Sequence, residues 1–271
     1  MMKLDFKKGR TLICAVVNIT PDSFSDGGLY LDPAAALKRA LECRAEGADL
    51  VDIGAESSRP GSAPVPLETE LARLLPAVRA AAAALDIPVS VDTYKPEAAR
   101  ACLEAGASYI NDITGFSSPA MISEVASRGA GAIVMHMRGS PGTMQKNPVY
   151  RAVTEEVAGF LAARAAALKA GGVSEIILDP GIGFGKTLRH NLELISRLGS
   201  VRSLGYPVML GVSRKAFIGE LSGASRPDER LPGTIAACVV GALNGADIVR
   251  VHDVAGVRAA LAVADALRNS P

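Results

Sequence analysis

IILDPGIGFGKT, residues Ile176 to Thr187, joins an apolar β-branched run to a glycine-rich turn ending in Lys-Thr. The turn invites comparison with a nucleotide-binding loop, and the comparison fails on spacing. A phosphate-cradling loop needs a glycine five residues ahead of its Gly-Lys pair, where this chain has Pro180, which has no N–H to offer an anion. The dinucleotide pattern fails as well: Gly181 and Gly183 fit its first two glycines, but Lys186 stands where the third belongs. What is left is a carboxylate, Asp179, at the C-terminal end of a strand and followed by glycines. The same design of strand, polar residue and loop recurs along the chain.

Working outward, short β-branched runs alternate with alanine-rich helical stretches, the pattern of parallel β/α units. The strands read 11–18, 49–55, 88–93, 108–113, 131–136, 175–180, 207–212 and 247–252. Helices are expected near 33–46, 67–85, 95–105, 119–128, 150–171, 189–203, 232–245 and 254–268. Glycines at Gly47, Gly106, Gly129 and Gly245 read as helix stops before the next strand. Eight units in 271 residues fit one domain, 1–271, folded as a (β/α)8 TIM barrel with its site at the C-terminal ends of the strands; an open doubly wound sheet is the alternative. Long loops at 19–32, 56–66 and 137–149 are candidate lids.

Apolar residues make up 49% of the chain, yet no run of 18 or more is unbroken, so a membrane span is not expected. The N-terminus shows no signal-type segment, which implies cytoplasmic residence. With 29 Lys and Arg against 28 Asp and Glu, the balance gives no reason to expect a nucleic-acid or anionic-membrane partner. Cys14, Cys43, Cys102 and Cys238 are widely spaced and read as reduced structural thiols.

Every strand ends in polar groups, and on this fold such ends converge on one mouth. Singly, each is also explained as a helix cap or a turn residue. Two classes separate. Asp92, Asn111 and Asp179 suit the edge of a flat, amide-like heterocycle, because a carboxylate can accept two parallel N–H bonds. Arg59, Arg214, Lys215, Arg250 and His252 are cationic and suit an anionic group. A small substrate with a polar ring at one end and an anion at the other is implied. Lys215, flanked by Arg214, is also readable as a Schiff-base lysine of lowered pKa, or as a solvated surface residue.

Taken together, NITPDSFSDGG (18–28), DIGAESSRPGS (52–62), SVDTYKPEAA (90–99), YINDITG (109–115), MHMRGSPGTMQ (135–145), DPGIGFGK (179–186), GVSRKAFIG (211–219) and RVHDV (250–254) resemble dihydropteroate synthase of the folate pathway. The resemblance implies a transferase that joins 4-aminobenzoate to (7,8-dihydropterin-6-yl)methyl diphosphate, releasing diphosphate and 7,8-dihydropteroate. It carries the pterin to Asp92, Asn111, Asp179 and Lys215, the diphosphate to Ser58, Arg59, Arg250 and His252, and the aminobenzoate to Phe184, Pro60, Ser213 and Lys215. The catalytic set is Asp92, Lys215, Arg250 and His252, and Asn18 is the implied Mg2+ ligand. The family commonly forms homodimers and is the target of sulfonamides. Ser58 stands where the family more often has threonine. A pterin-dependent methyltransferase domain and a pterin-binding homologue without turnover are the alternatives.

Overall fold

The computed structural model describes residues 1–6, 9–20 and 33–270. Eight parallel strands, β1 (Leu12–Asn18), β2 (Leu50–Gly54), β3 (Val89–Asp92), β4 (Tyr109–Asp112), β5 (Gly131–Met135), β6 (Ile176–Asp179), β7 (Met209–Leu210) and β8 (Ile248–Val251), lie in the order β6-β5-β4-β3-β2-β1-β8-β7. A parallel bridge between Leu178 and Val208, with the Leu178 N–H donating to the Pro207 carbonyl at 2.9 Å, joins the two ends. The sheet therefore closes into a (β/α)8 barrel, and the open doubly wound alternative falls away. The seam is thin because Pro207 has no N–H for the ladder and the Val208 N–H is taken by the Asp247 carboxylate at 2.8 Å. The expected strand 207–212 is accordingly short.

Ten α-helices accompany the strands among the described residues: α1 (Pro33–Ala45), α2 (Leu67–Ala84), α3 (Pro96–Glu104), α4 (Pro119–Ser127), α5 (Val153–Ala170), α6 (Leu188–Ser196), α7 (Gly199–Arg202), α8 (Ala216–Ser222), α9 (Leu231–Leu243) and α10 (Val254–Arg268). The helix expected over 189–203 divides because Arg197 (φ −107°, ψ 26°) leaves helical geometry. α8 is an addition, the short helix that follows Lys215. Apolar spacing explains how the helices dock: Leu74, Ala77, Val78 and Ala81 of α2, and Val254, Val257, Leu261 and Ala264 of α10, are the buried positions of single stripes.

Strand alternation sorts the core into two bodies. Ile13, Val51, Val91, Ile110, Val134, Leu178, Leu210 and Val249 pack with the helices in the outer core. Leu12, Cys14, Leu50, Tyr109, Ile133, Ile177, Met209 and Ile248 fill the inside of the barrel, and Leu4 and Phe6 of the N-terminal segment pack against them. The Leu4 N–H donates to the Tyr109 hydroxyl at 2.8 Å, which ties that segment to the barrel interior.

Candidate active site

Four strands build the floor of the site by one rule. Leu50 of β2 lies in the inner apolar cluster, and Asp52, two residues on, shares its face; β4 repeats this with Tyr109 and Asn111, β6 with Ile177 and Asp179, and β8 with Ile248 and Arg250. Side chains of alternate strands form layers in such barrels, so the polar quartet Asp52, Asn111, Asp179 and Arg250 caps an apolar one.

Asp52 is wholly buried, and its Oδ2 accepts from Asn111 Nδ2 at 2.9 Å and from Arg250 Nε at 2.7 Å. Arg250 Nη2 also reaches Asp92 Oδ2 at 3.1 Å, binding β3 into the same group. Asp52 Oδ1 and Ser90 Oγ are buried with no hydrogen-bond partner among the described residues. Burial pushes Asp92 up from the carboxylate range, opposed by Arg250 and reinforced by Asp52. Burial pushes Asp179 up as well, opposed by the Gly181 N–H, which donates to Oδ1 at 2.7 Å, and by Lys215 and Arg250. For Arg250, burial works against the charge, but Asp52 and Asp92 hold it above its ordinary value.

The wall beyond Asp179 is the glycine turn. Gly181 has φ 67°, and a Cβ there would sit 1.9 Å from the His136 carbonyl oxygen, so only glycine lets the turn close against the end of β5. Phe184 follows, half-buried, and Lys215 Nζ lies 4.2 Å from the centre of its ring. Lys215 is pushed down to about 8 by burial and by Arg250, with Asp179 and Asp92 pulling the other way. Arg214 is not the cause expected from the sequence. It takes a left-handed turn (φ 57°), and its guanidinium goes to Asp253 at 2.9 and 2.6 Å. The chain is held in this turn by Arg214 N–H to Thr234 Oγ1 at 3.0 Å and by Arg230 Nη1 to the Arg214 carbonyl at 3.1 Å.

At the rim, Ser213 Oγ lies 2.9 Å from His252 Nδ1 and accepts the His252 N–H at 3.2 Å. Burial, then Arg214, Arg250 and Arg59, push His252 well below its ordinary value, so the ring is neutral. Ser213, assigned from the resemblance to the aminobenzoate pocket, thus also touches the expected diphosphate side. Ser58 is half-buried and Arg59 and Pro60 are exposed on the loop after β2. That loop is tethered by Glu56, which accepts from Tyr94 OH at 2.7 Å, Lys95 Nζ at 2.6 Å and the Val65 N–H at 3.0 Å. Asn18 ends β1 opposite Gly54, and a Cβ at 54 would lie 3.7 Å from Asn18 Oδ1 and 3.4 Å from Asp92 Cβ. Most of the loop after β1, residues 21–32 with the Pro21 to Gly28 part of NITPDSFSDGG, lies outside the described residues.

Residues 14–252 match the family model described as pterin binding enzyme. The dihydropteroate synthase of Synechocystis sp. is 43% identical over 261 residues, covering 95% of this chain and 90% of that protein. Among solved structures, Yersinia pestis dihydropteroate synthase with a sulfonamide drug complex superposes with a TM-score of 0.94 at 37% identity, covering 99% of this chain and 98% of that one. The Xanthomonas albilineans enzyme in complex with 7,8-dihydropteroate gives a TM-score of 0.89 at 40% identity, with 99% and 97% covered. The chain belongs to the dihydropteroate synthase family. These relatives favour the synthase reading over the methyltransferase one.

Three features of the family member described here escape the sequence. Asp52 is one more polar residue near the end of a strand, and nothing local shows that it holds both Arg250 and Asn111. Lys186 looked like the lysine of a failed phosphate loop, yet it is 3% exposed and its ammonium points into protein. Arg250, grouped with the anion-binding cations, lies in the polar floor. Its place two residues beyond Ile248 was the available signal.

Proposed function

We propose that the polar floor binds the pterin and that the cations at its rim take the diphosphate, in the reaction that condenses (7,8-dihydropterin-6-yl)methyl diphosphate with 4-aminobenzoate to give 7,8-dihydropteroate. The observation that carries this reading is the convergence of Asp92, Asn111 and Asp179 beside one cation-bearing wall. Asp179 and Asn111 take the amide and amine edge of the ring, which needs paired acceptors and an amide. Asp92, held by Arg250, faces the ring and favours its cationic character as the bond to the leaving group lengthens. Lys215, lying over Phe184, spans the pterin and aminobenzoate ends, with Pro60 and Ser213 completing the second pocket.

The leaving diphosphate is gripped by Ser58, Arg59 and His252 at the rim, and Arg250, whose Nε and Nη2 are engaged with Asp52 and Asp92, meets it from the floor with Nη1. Neutral His252, its Nδ1 occupied by the Ser213 hydroxyl, offers an Nε2–H to a phosphate oxygen. The aminobenzoate nitrogen then forms its bond to the methylene carbon, the carbon–oxygen bond to diphosphate breaks, and the amine proton leaves with solvent or product. No strong base is needed, because the arylamine is already a nucleophile near neutral pH.

Asn18 is the proposed Mg2+ ligand. Among the described residues no group of three or more His, Cys, Asp or Glu is arranged to hold a metal, and a neutral amide oxygen beside bare Gly54 suits an ion that leans on phosphate oxygens and water. When bound, Mg2+ neutralises charge building on the leaving diphosphate. A homodimer is proposed as well, supported by the apolar surface of α6 and α9, where Leu192 and Val240 are 41% and 46% exposed. Four buried, unpaired cysteines support a reducing cytoplasmic setting. No helix of the described residues is long and apolar enough to cross a membrane.

Incubation with the pterin diphosphate, labelled 4-aminobenzoate and Mg2+ tests the reaction. Labelled dihydropteroate is expected. Tight pterin binding with no product would leave a binding module in place of an enzyme.

A further inference from the structure

Lys186 is buried without a carboxylate partner within 4 Å among the described residues, and its ammonium instead gathers backbone. Its Nζ donates to the carbonyls of Gly181 at 2.8 Å and Phe184 at 3.0 Å and to His136 Nδ1 at 2.9 Å, with the His136 carbonyl farther off at 3.4 Å. The His136 ring stands edge-on to Phe160 at 5.0 Å. Burial and the neighbouring Lys186 push His136 down to about 3, so the ring is neutral and Nδ1 accepts, while burial pushes Lys186 itself down to about 7 against the pull of Asp179. Oxygens of the turn that Lys186 does not reach are held from the loop after β5: Gln145 Nε2 donates to the Gly183 carbonyl at 2.6 Å, and Tyr150 OH to that of Gly185 at 3.0 Å. The Gly183 N–H is taken by Asn191 Oδ1 at 2.8 Å.

A turn with left-handed glycines at Gly181, Gly183 and Gly185 has little intrinsic preference for one shape, because glycine loses more freedom on ordering than any other residue. Here one ammonium draws the first and fourth carbonyls of that turn to a common point and fastens both to the end of β5. We propose that Lys186 is a positioning residue: its ammonium, seated on His136, fixes the turn 181–184 and thereby sets the Phe184 ring that receives 4-aminobenzoate. Asp179 is less dependent on it, because β6 register and the rigid Pro180 already place that carboxylate. The proposal rests on the reading that Phe184 lines the aminobenzoate pocket.

Steady-state kinetics of full-length Lys186→Met, which keeps the apolar stem and removes every donor, should show the KM for 4-aminobenzoate raised by about tenfold or more. Pterin binding by calorimetry should stay within about threefold of the parent. Should this variant fail to fold, the pair His136→Gln and His136→Leu carries the same test: the glutamine carbonyl restores an acceptor for the ammonium, so its KM for 4-aminobenzoate stays nearer the parent than that of the leucine variant. Phe184→Ala run alongside separates the two readings. If Phe184→Ala raises the aminobenzoate KM and neither Lys186→Met nor His136→Leu does, the positioning role is wrong. If Phe184→Ala also leaves it unchanged, the assignment of Phe184 fails and takes the proposal with it. Equal loss for both substrates would show a merely structural lysine.

Discussion

Arg250 and Asp52, 198 residues apart in the chain, meet at 2.7 Å in the floor of the barrel mouth, where Asp52 has no exposure to solvent. A buried pair of this kind is weak evidence for stability in itself, yet removing one partner leaves the other charge uncompensated. Arg250→Met should therefore cost about 3 to 5 kcal/mol, lowering the melting temperature by roughly 6 to 20 °C. Asp52→Leu combined with Arg250→Met should recover part of the stability and none of the activity, since Asn111 Nδ2 then lacks its acceptor and Asp92 its cation. If the double variant melts as low as the single one, the loss at Arg250 has another origin.

That pairing also shows what could be read from the chain beforehand. The barrel was legible because β-branched runs and alanine-rich helices alternate eight times, with glycine stops before four of the strands, and Asp92, Asn111 and Asp179 were legible because each ends such a strand. Their partners were not. Whether Arg250 faces the diphosphate or the polar floor depends on barrel closure and register, since it shares a face with Ile248 and meets β2 only in three dimensions. The shift of Lys215 was misattributed for the same reason: proximity in sequence pointed to Arg214, whereas its left-handed backbone sends that side chain to Asp253.

Asp179 accepts the Gly181 N–H with Oδ1 at 2.7 Å and turns Oδ2 towards Gly211, where a Cβ would lie 3.7 Å away. A carboxylate so placed keeps acceptor capacity for a ring edge. Asp179→Ala should weaken pterin binding by about 1 to 3 kcal/mol, roughly five- to 150-fold, because the ring donors lose their partner. Calorimetry with a pterin lacking the diphosphate measures this directly, and unchanged affinity would remove Asp179 from the ring site.

Lys215 is held at about 8 in the folded chain against an ordinary value of 10.5, so between those values the unfolded chain binds more protons and stability rises with pH. Below about 8 both states are protonated, and the full cost of burying the ammonium is present. Lys215→Met removes that cost. Its melting temperature relative to the parent should be most favourable below pH 8 and lose ground towards pH 10.5. In the parent, kcat/KM for the pterin diphosphate should fall as pH rises through about 8, and this limb should vanish in the variant. A stability difference that does not vary with pH would show that the lysine is not depressed.

Lys95 joins the loop after β2 to the barrel wall: its ammonium contacts Glu56 at 2.6 Å and also pairs with Glu70, which is 1% exposed and accepts from Thr93 Oγ1 at 2.7 Å. Lys95→Met leaves Glu70 with a hydroxyl and no cation, at a cost of about 3 kcal/mol or more. It also cuts the ammonium tether of the segment bearing Ser58 and Arg59, so the KM for the pterin diphosphate should rise about tenfold while affinity for the pterin alone holds within about twofold. Adding Glu70→Gln removes the stranded charge and should restore most of the stability without restoring KM, because Glu56 still has no ammonium to hold it. Recovery of both together would mean that the kinetic loss came from instability alone.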